Sequence, residues 1–99
     1  MEMTFILIDL VNSTNDLQLA NRSWRPVAAE IKRSGAVTGK RADTLEHHLC
    51  TEIDVSEAKK IAKHLSQLIR AGTLPQDLDE ETARRVADFA STSSGFEVC

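Results

Sequence analysis

Ser56 to Gly72 reads S-E-A-K-K-I-A-K-H-L-S-Q-L-I-R-A-G, and this stretch decides the fold. Ala58, Ile61, Ala62, Leu65, Leu68 and Ile69 follow the i, i+3, i+4, i+7 spacing of an α-helix. At about 100° per residue they span an arc of roughly 120°, one buried stripe. Lys59, Lys60, Lys63, Gln67 and Arg70 fall on the other side. Two N-terminal caps compete. Ser56 can cap directly, with Val55 as a hydrophobic staple, or Asp54 can form a capping box with Glu57. Gly72 supplies the left-handed stop, and Arg70 suits the negative end of the dipole. A helix of this length is not stable alone in water, so the rest of the chain must cover its stripe.

Downstream, T-L-P-Q-D-L-D forms a connector that Leu74-Pro75 keeps out of the helix. Asp79 caps a further helix whose stripe is Ala83, Val86, Ala87 and Ala90, with Phe89 on its flank. Glu80–Arg84 and Glu81–Arg85 are i, i+4 pairs in the favourable order. The short connector makes the two helices an antiparallel αα-hairpin. Upstream, Trp24, Val27, Ala28 and Ile31 mark another helix, with Asn21 or Ser23 as cap, Pro26 in its first turn and Gly35 at its end. Trp24 is the largest core anchor or, flanked by Arg22 and Arg25, an aromatic platform for a partner.

The apolar run T-F-I-L-I-D-L-V at 4–11 reads as a strand, with Asp9 marking an edge or a hydrogen-bonded polar site. Leu17 and Leu19 alternate in a short second extended piece. Residues 36–44 read as a loop, and 45–50 as irregular or briefly helical before the strand T-E-I-D-V. Phe96 and Val98 share one face of a terminal extended piece. The expected fold is therefore α+β in one domain, 1–99. Helices at about 24–34, 57–71 and 80–92 pack on a sheet from about 4–11, 51–55 and 95–98, with 4–11 or 95–98 as an exposed edge. The alternative is a small all-α bundle with an extended N-terminal arm.

Ninety-nine residues allow a modest core, and with four aromatic residues that core must be mostly aliphatic. A net charge of -3 argues against a dedicated nucleic-acid binder. The apolar run at Phe5–Val11 follows Glu2 rather than a basic segment, holds Asp9, and is too short to span a bilayer. Two cysteines, Cys50 and Cys99, make no disulfide framework, so a reducing cytoplasm is the expected location. The sequons at Asn12 and Asn21 are then chance matches.

No catalytic constellation emerges. G-A-V-T-G-K-R from Gly35 imitates a phosphate loop but is one residue short between its glycines. It also has Arg41 where a metal-binding hydroxyl belongs. His47, His48 and Cys50 are zinc-type ligands, but without a C-x-x-C pair or a second ligand pair no metal or other cofactor is expected. Cys50 beside those histidines has the residue types of a nucleophile without an evident oxyanion site. Asp9, at a strand end, lacks partners for phosphoryl chemistry. A helix-turn-helix reader is disfavoured by Pro75 in the connector and by Asp79, Glu80 and Glu81 where phosphates would lie.

Charge is unevenly distributed: +5 over 22–41, +3 over 57–70 and -4 over 71–99. The expected function is a non-enzymatic interaction module, of inhibitor, antitoxin, immunity or adaptor type, that binds another protein and no membrane. Homodimerisation is a further expectation. Arg22, Trp24, Arg25, Lys59, Lys63 and Arg70 are the candidate surface. The alternatives are a nucleic-acid binder using the basic segments 22–41 and 57–70, and a small metal- or Cys-dependent enzyme.

Overall fold

A computed structural model describes residues 4–99. Its elements are β1 (Thr4–Asp9), β2 (Asp16–Ala20), α1 (Asn21–Ser34), α2 (Lys40–Thr44), β3 (Thr51–Ile53), α3 (Val55–Ala71), α4 (Glu80–Thr92) and β4 (Phe96–Val98). The strands form one antiparallel sheet in the order β2-β1-β4-β3. The fold is α+β, with the helices on one face of that sheet.

Alternation sets the two faces. Phe5, Leu7, Leu19, Ile53, Phe96 and Val98 point inward and are buried. They meet Trp24, Val27 and Ile31 of α1, Ile61 and Leu65 of α3, and Val86 of α4 in one core. Trp24 is fully buried, and its indole Nε1 donates to the Leu45 carbonyl at 2.7 Å. That bond ties the irregular segment after α2 to the core. Phe89 meets Phe96 edge to face at 5.4 Å, joining α4 to β4.

The predicted helix stripes are buried at Ala58, Ile61, Ala62 and Leu65 of α3, and at Ala83, Val86, Ala87 and Ala90 of α4. Of the two competing caps on α3, the capping box forms. Asp54 Oδ1 accepts from the Glu57 amide at 2.8 Å, and Glu57 Oε1 accepts from the Asp54 amide at 3.1 Å. Val55 consequently starts the helix and stays exposed rather than stapling it.

Several expectations need correction. β1 stops at Asp9 rather than at 11, because its carboxylate turns the chain. Oδ1 accepts from the amides of Val11 and Asn12, and Oδ2 from Asn15 Nδ2 and the Ser94 amide. With its oxygens so occupied, Asp9 is a structural carboxylate. The piece at 16–20 is a full strand of the sheet. As a result β1 and β4 are interior, and the edges are β2 and β3. α1 begins at Asn21, which places Pro26 beyond its first turn. A proline there removes a helical hydrogen bond, and the buried Trp24, Val27, Ala28 and Ile31 hold the helix together across it. The segment read as a loop contains the single turn α2.

Gly95 is where β4 enters the sheet. Its φ is +91°, and a Cβ there would lie 2.8 Å from the Ile53 carbonyl oxygen and 3.2 Å from the Val55 nitrogen. Gly72, the left-handed cap of α3 at φ +69°, has open space around it. Gly72→Ala should therefore cost about 1 kcal/mol from its backbone conformation alone. Gly95→Ala should cost about 3 kcal/mol or more, because the clash is with backbone that cannot swing aside. Urea denaturation of the two variants checks the ranking, and equal losses would contradict the close approach.

Candidate functional site

Three features carry chemistry on this scaffold. The first is a buried carboxylate between α1 and α3. Glu30 is 3% exposed and accepts from His64 Nε2 at 2.7 Å. Arg33 Nη2 donates to both of its oxygens, at 2.8 and 2.7 Å, and Nε donates to Oε2 at 3.1 Å. Burial pushes the Glu30 carboxyl up, but hydrogen bonds from His64 and Arg33 and their positive charges outweigh it, so it is held below 4.5. An ionised carboxylate only accepts, so His64 Nε2 carries the proton in this contact. The cluster lines shallow clefts with Pro26, Thr73, Pro75 and Asp77 on one side and Leu68 on the other. The hydroxyls along these clefts are Thr73 and Ser34, and Ser34 Oγ donates to the Ile31 carbonyl at 2.8 Å. The arrangement locks α1 to α3.

The second feature is a set of internal ion pairs involving the cations of segment 22–41. Arg41 bridges α2 to α3 through both oxygens of Glu57 and reaches the Glu52 carbonyl at 3.1 Å. Lys32 pairs with Asp43, and Arg33 with Glu30. The +5 on 22–41 already counts Glu30, so only Asp43 and Glu57, which lie outside the segment, offset it further, and the Glu57 pair puts Arg41 in a structural role rather than in a phosphate loop. Trp24 has no exposed surface to offer a partner, so the platform reading is corrected to core packing. Arg22, Arg25, Lys59, Lys63 and Arg70 are exposed.

The third feature is the sheet face that no helix among the described residues covers. Ile6 and Ile8 lie there, part exposed, with Asp16 and Gln18 beside them on β2, Glu97 on β4 and Glu52 on β3. Leu10, Val11 and Val55 are exposed at one end, and Leu10 and Val55 flank Gly95. None of the outward strand residues on this face is a cation.

On the same face Cys50 and Cys99 form a disulfide, their Cα atoms 4.1 Å apart. Register explains the pairing. Thr51 opposes Val98 and Glu52 opposes Glu97, so the residues flanking those pairs meet across the strands. This overturns the cytoplasmic expectation: a disulfide points to an oxidising compartment rather than a reducing one. It also removes Cys50 as a free thiol nucleophile, and the reason for dismissing the sequons at Asn12 and Asn21 falls with the cytoplasm. Across the 49-residue separation the cross-link should contribute about 2–4 kcal/mol.

Among the described residues the candidate ligands His47, His48 and Cys50 do not come together as a group. His48 stacks on Phe5 at 4.0 Å, with its ring nitrogens near the Cys99 carbonyl and Asn21 Oδ1. Instead, the ligand atoms of Cys50, Glu97 and Cys99 lie within 4.8 Å of one another.

Sequence reasoning missed the Glu30–His64 contact, which spans 34 positions. Its trace was available, because Glu30 and His64 sit beside Ile31 and Leu65 on the two apolar stripes. The disulfide also left a trace. C-T-E-I forward and C-V-E-F backward share one pattern of Cys, β-branched residue, Glu and apolar residue.

No protein-family model, curated protein or solved structure matches the chain. No helix among the described residues is long and apolar enough to cross a membrane.

Glu30 and Glu57, the latter held down first by its hydrogen bonds from Arg41, both titrate below 4.5 in the fold. A depressed folded pKa stabilises above the unfolded value and loses that stabilisation as pH falls through the folded value. Stability should therefore decline as pH drops below 4.5. Glu30→Gln should lower stability at pH 7 by about 1.5–3 kcal/mol and flatten the acid limb. Urea midpoints measured from neutral to acid pH test this, and an unchanged acid limb in the variant would contradict it.

Proposed function

We propose that this chain is a protein-binding module and that its helix-free sheet face is the docking surface. The supporting observation is the composition of that face: Ile6 and Ile8 at its centre, exposed Leu10, Val11 and Val55 at one end, and carboxylates Asp16, Glu52 and Glu97 around them. An apolar centre with a charged rim is the anatomy of a protein interface. The acidic rim selects a partner presenting cations around an apolar patch. A second copy of the chain is a poor occupant, because two such faces would bring like charges together.

The docking reading requires no catalysis. The nucleic-acid alternative keeps exposed Lys59, Lys60, Lys63 and Arg70 on α3, but the pairs of Lys32 with Asp43 and of Arg41 with Glu57 reduce the cationic field on the neighbouring segment.

Side-by-side affinity purification from the producing cells tests the reading. The chain with Ile8→Arg and Glu97→Lys should lose the protein that the native chain retains. The chain with Lys59→Glu, Lys63→Glu and Arg70→Glu should keep it. Loss of the partner only in the helix variant, or heparin retention abolished by that variant, would sink the docking reading in favour of the basic surface.

A further inference from the structure

On the open sheet face, Glu52 and Glu97 stand directly opposite each other on neighbouring strands. Like charges in that position destabilise a sheet. Beside them, Cys50 and Cys99 occupy the adjacent opposed positions, and Glu97 Oε1 lies 3.5 Å from Cys99 Sγ. Two sulfurs and a carboxylate thus converge within 4.8 Å at a place that already carries surplus negative charge. Cys50 is exposed, while Glu97 and Cys99 are half-buried, so the cluster opens to solvent on one side. The backbone at Cys50 is also unusual: it has a φ of 49°, the one positive value on a non-glycine residue among those described. Residues held in such conformations concentrate at functional sites.

We propose that the reduced form of this cluster is a zinc site, with Cys50 Sγ, Cys99 Sγ and one Glu97 oxygen as protein ligands. Thiolate and carboxylate are donors that Zn²⁺ accepts, at about 2.3 Å and about 2.0–2.2 Å, and three protein ligands leave a fourth position for water. The reduced sulfurs have to separate to about the edge of a zinc tetrahedron. Cysteines on adjacent strands achieve this by side-chain rotation with the strand pairing intact. Glu52, across from Glu97, contributes charge, and the cation relieves the repulsion between the two carboxylates.

The disulfide and the zinc state exclude each other. A dithiol reductant supplies two electrons and two protons, which convert the Cys50–Cys99 bond into two thiols while the reductant becomes a disulfide. Metal binding then displaces the two thiol protons to solvent. Oxidation of the two thiolates by a disulfide oxidant restores the S–S bond and releases the ion. The zinc site does not rest on the docking reading.

The test uses the full chain reduced with a dithiol, freed of reductant without air, and titrated with Zn²⁺ against a chromophoric chelator. A parallel titration with Co²⁺ reads sulfur-to-metal charge transfer. One metal per chain, with two-thiolate absorption in the reduced chain and none in the oxidised chain, is the expected result. Glu97→Gln should weaken zinc at least about tenfold, the lower end of what losing even an outer partner costs, and should leave the thiolate bands in place. The double variant Cys50→Ser with Cys99→Ser reports by circular dichroism whether the fold survives without the cross-link. Zinc held no more tightly by the reduced native chain than by this double variant overturns the proposal. So does affinity indifferent to Glu97→Gln, the signature of loose thiols in an unfolded chain.

Discussion

The structure depends on the insertion of β4 between β1 and β3. Three residues, Phe96–Val98, supply the pairing that joins the N-terminal hairpin to the middle of the chain. Every neighbouring feature serves that insertion. Gly95 lets the backbone pass the Ile53 carbonyl, Asp9 accepts from the Ser94 amide, and Phe89 packs on Phe96. Cys99 closes the far end through Cys50. Without β4 the sheet separates into the β1–β2 hairpin on one side and the three-residue β3 on the other, and neither is long enough to hold its place alone.

This arrangement also divides the molecule into two chemically distinct sides. The helices cover one face of the sheet, and their ion pairs link α1 to α2, α1 to α3 and α2 to α3. The cations that the sequence concentrates in 22–41 thus fasten helices together as well as facing solvent. On the other side, alternation brings carboxylates, half-exposed isoleucines and the disulfide to one surface. Both functional readings, docking of a cationic partner and metal capture after reduction, draw on that surface.

Local signals in the sequence made most of the architecture legible. The spacing of Ala58, Ile61 and Leu65 gave the central helix, and Asp79 with Ala83 and Val86 gave its hairpin partner. Phe96 and Val98 marked the closing strand. What was not legible depends on register. Residues 16–20 make a strand because each of them from Asp16 to Ala20 finds a partner in Ile8 to Thr4. The same register problem made β1 and β4 read as edges and the cysteines as separate thiols, since opposed positions on distant strands cannot be assigned from spacing. Trp24 shows the opposite case. Its helical spacing pointed to packing, and its flanking arginines to a platform; burial and the bond to Leu45 decided for packing.

The insertion of β4 can be tested by one nuclear Overhauser measurement. Ile6 and Cys99 exchange both backbone hydrogen bonds, at 3.3 and 2.9 Å. The next pair, Leu7 and Val98, is therefore a non-hydrogen-bonded pair with closely spaced Cα atoms. A strong cross-peak between the Hα protons of Leu7 and Val98 is the predicted result. Its absence in a folded sample whose β1–β2 contacts are present would contradict the sheet order, and with it the shared surface of Glu52, Glu97 and the two cysteines.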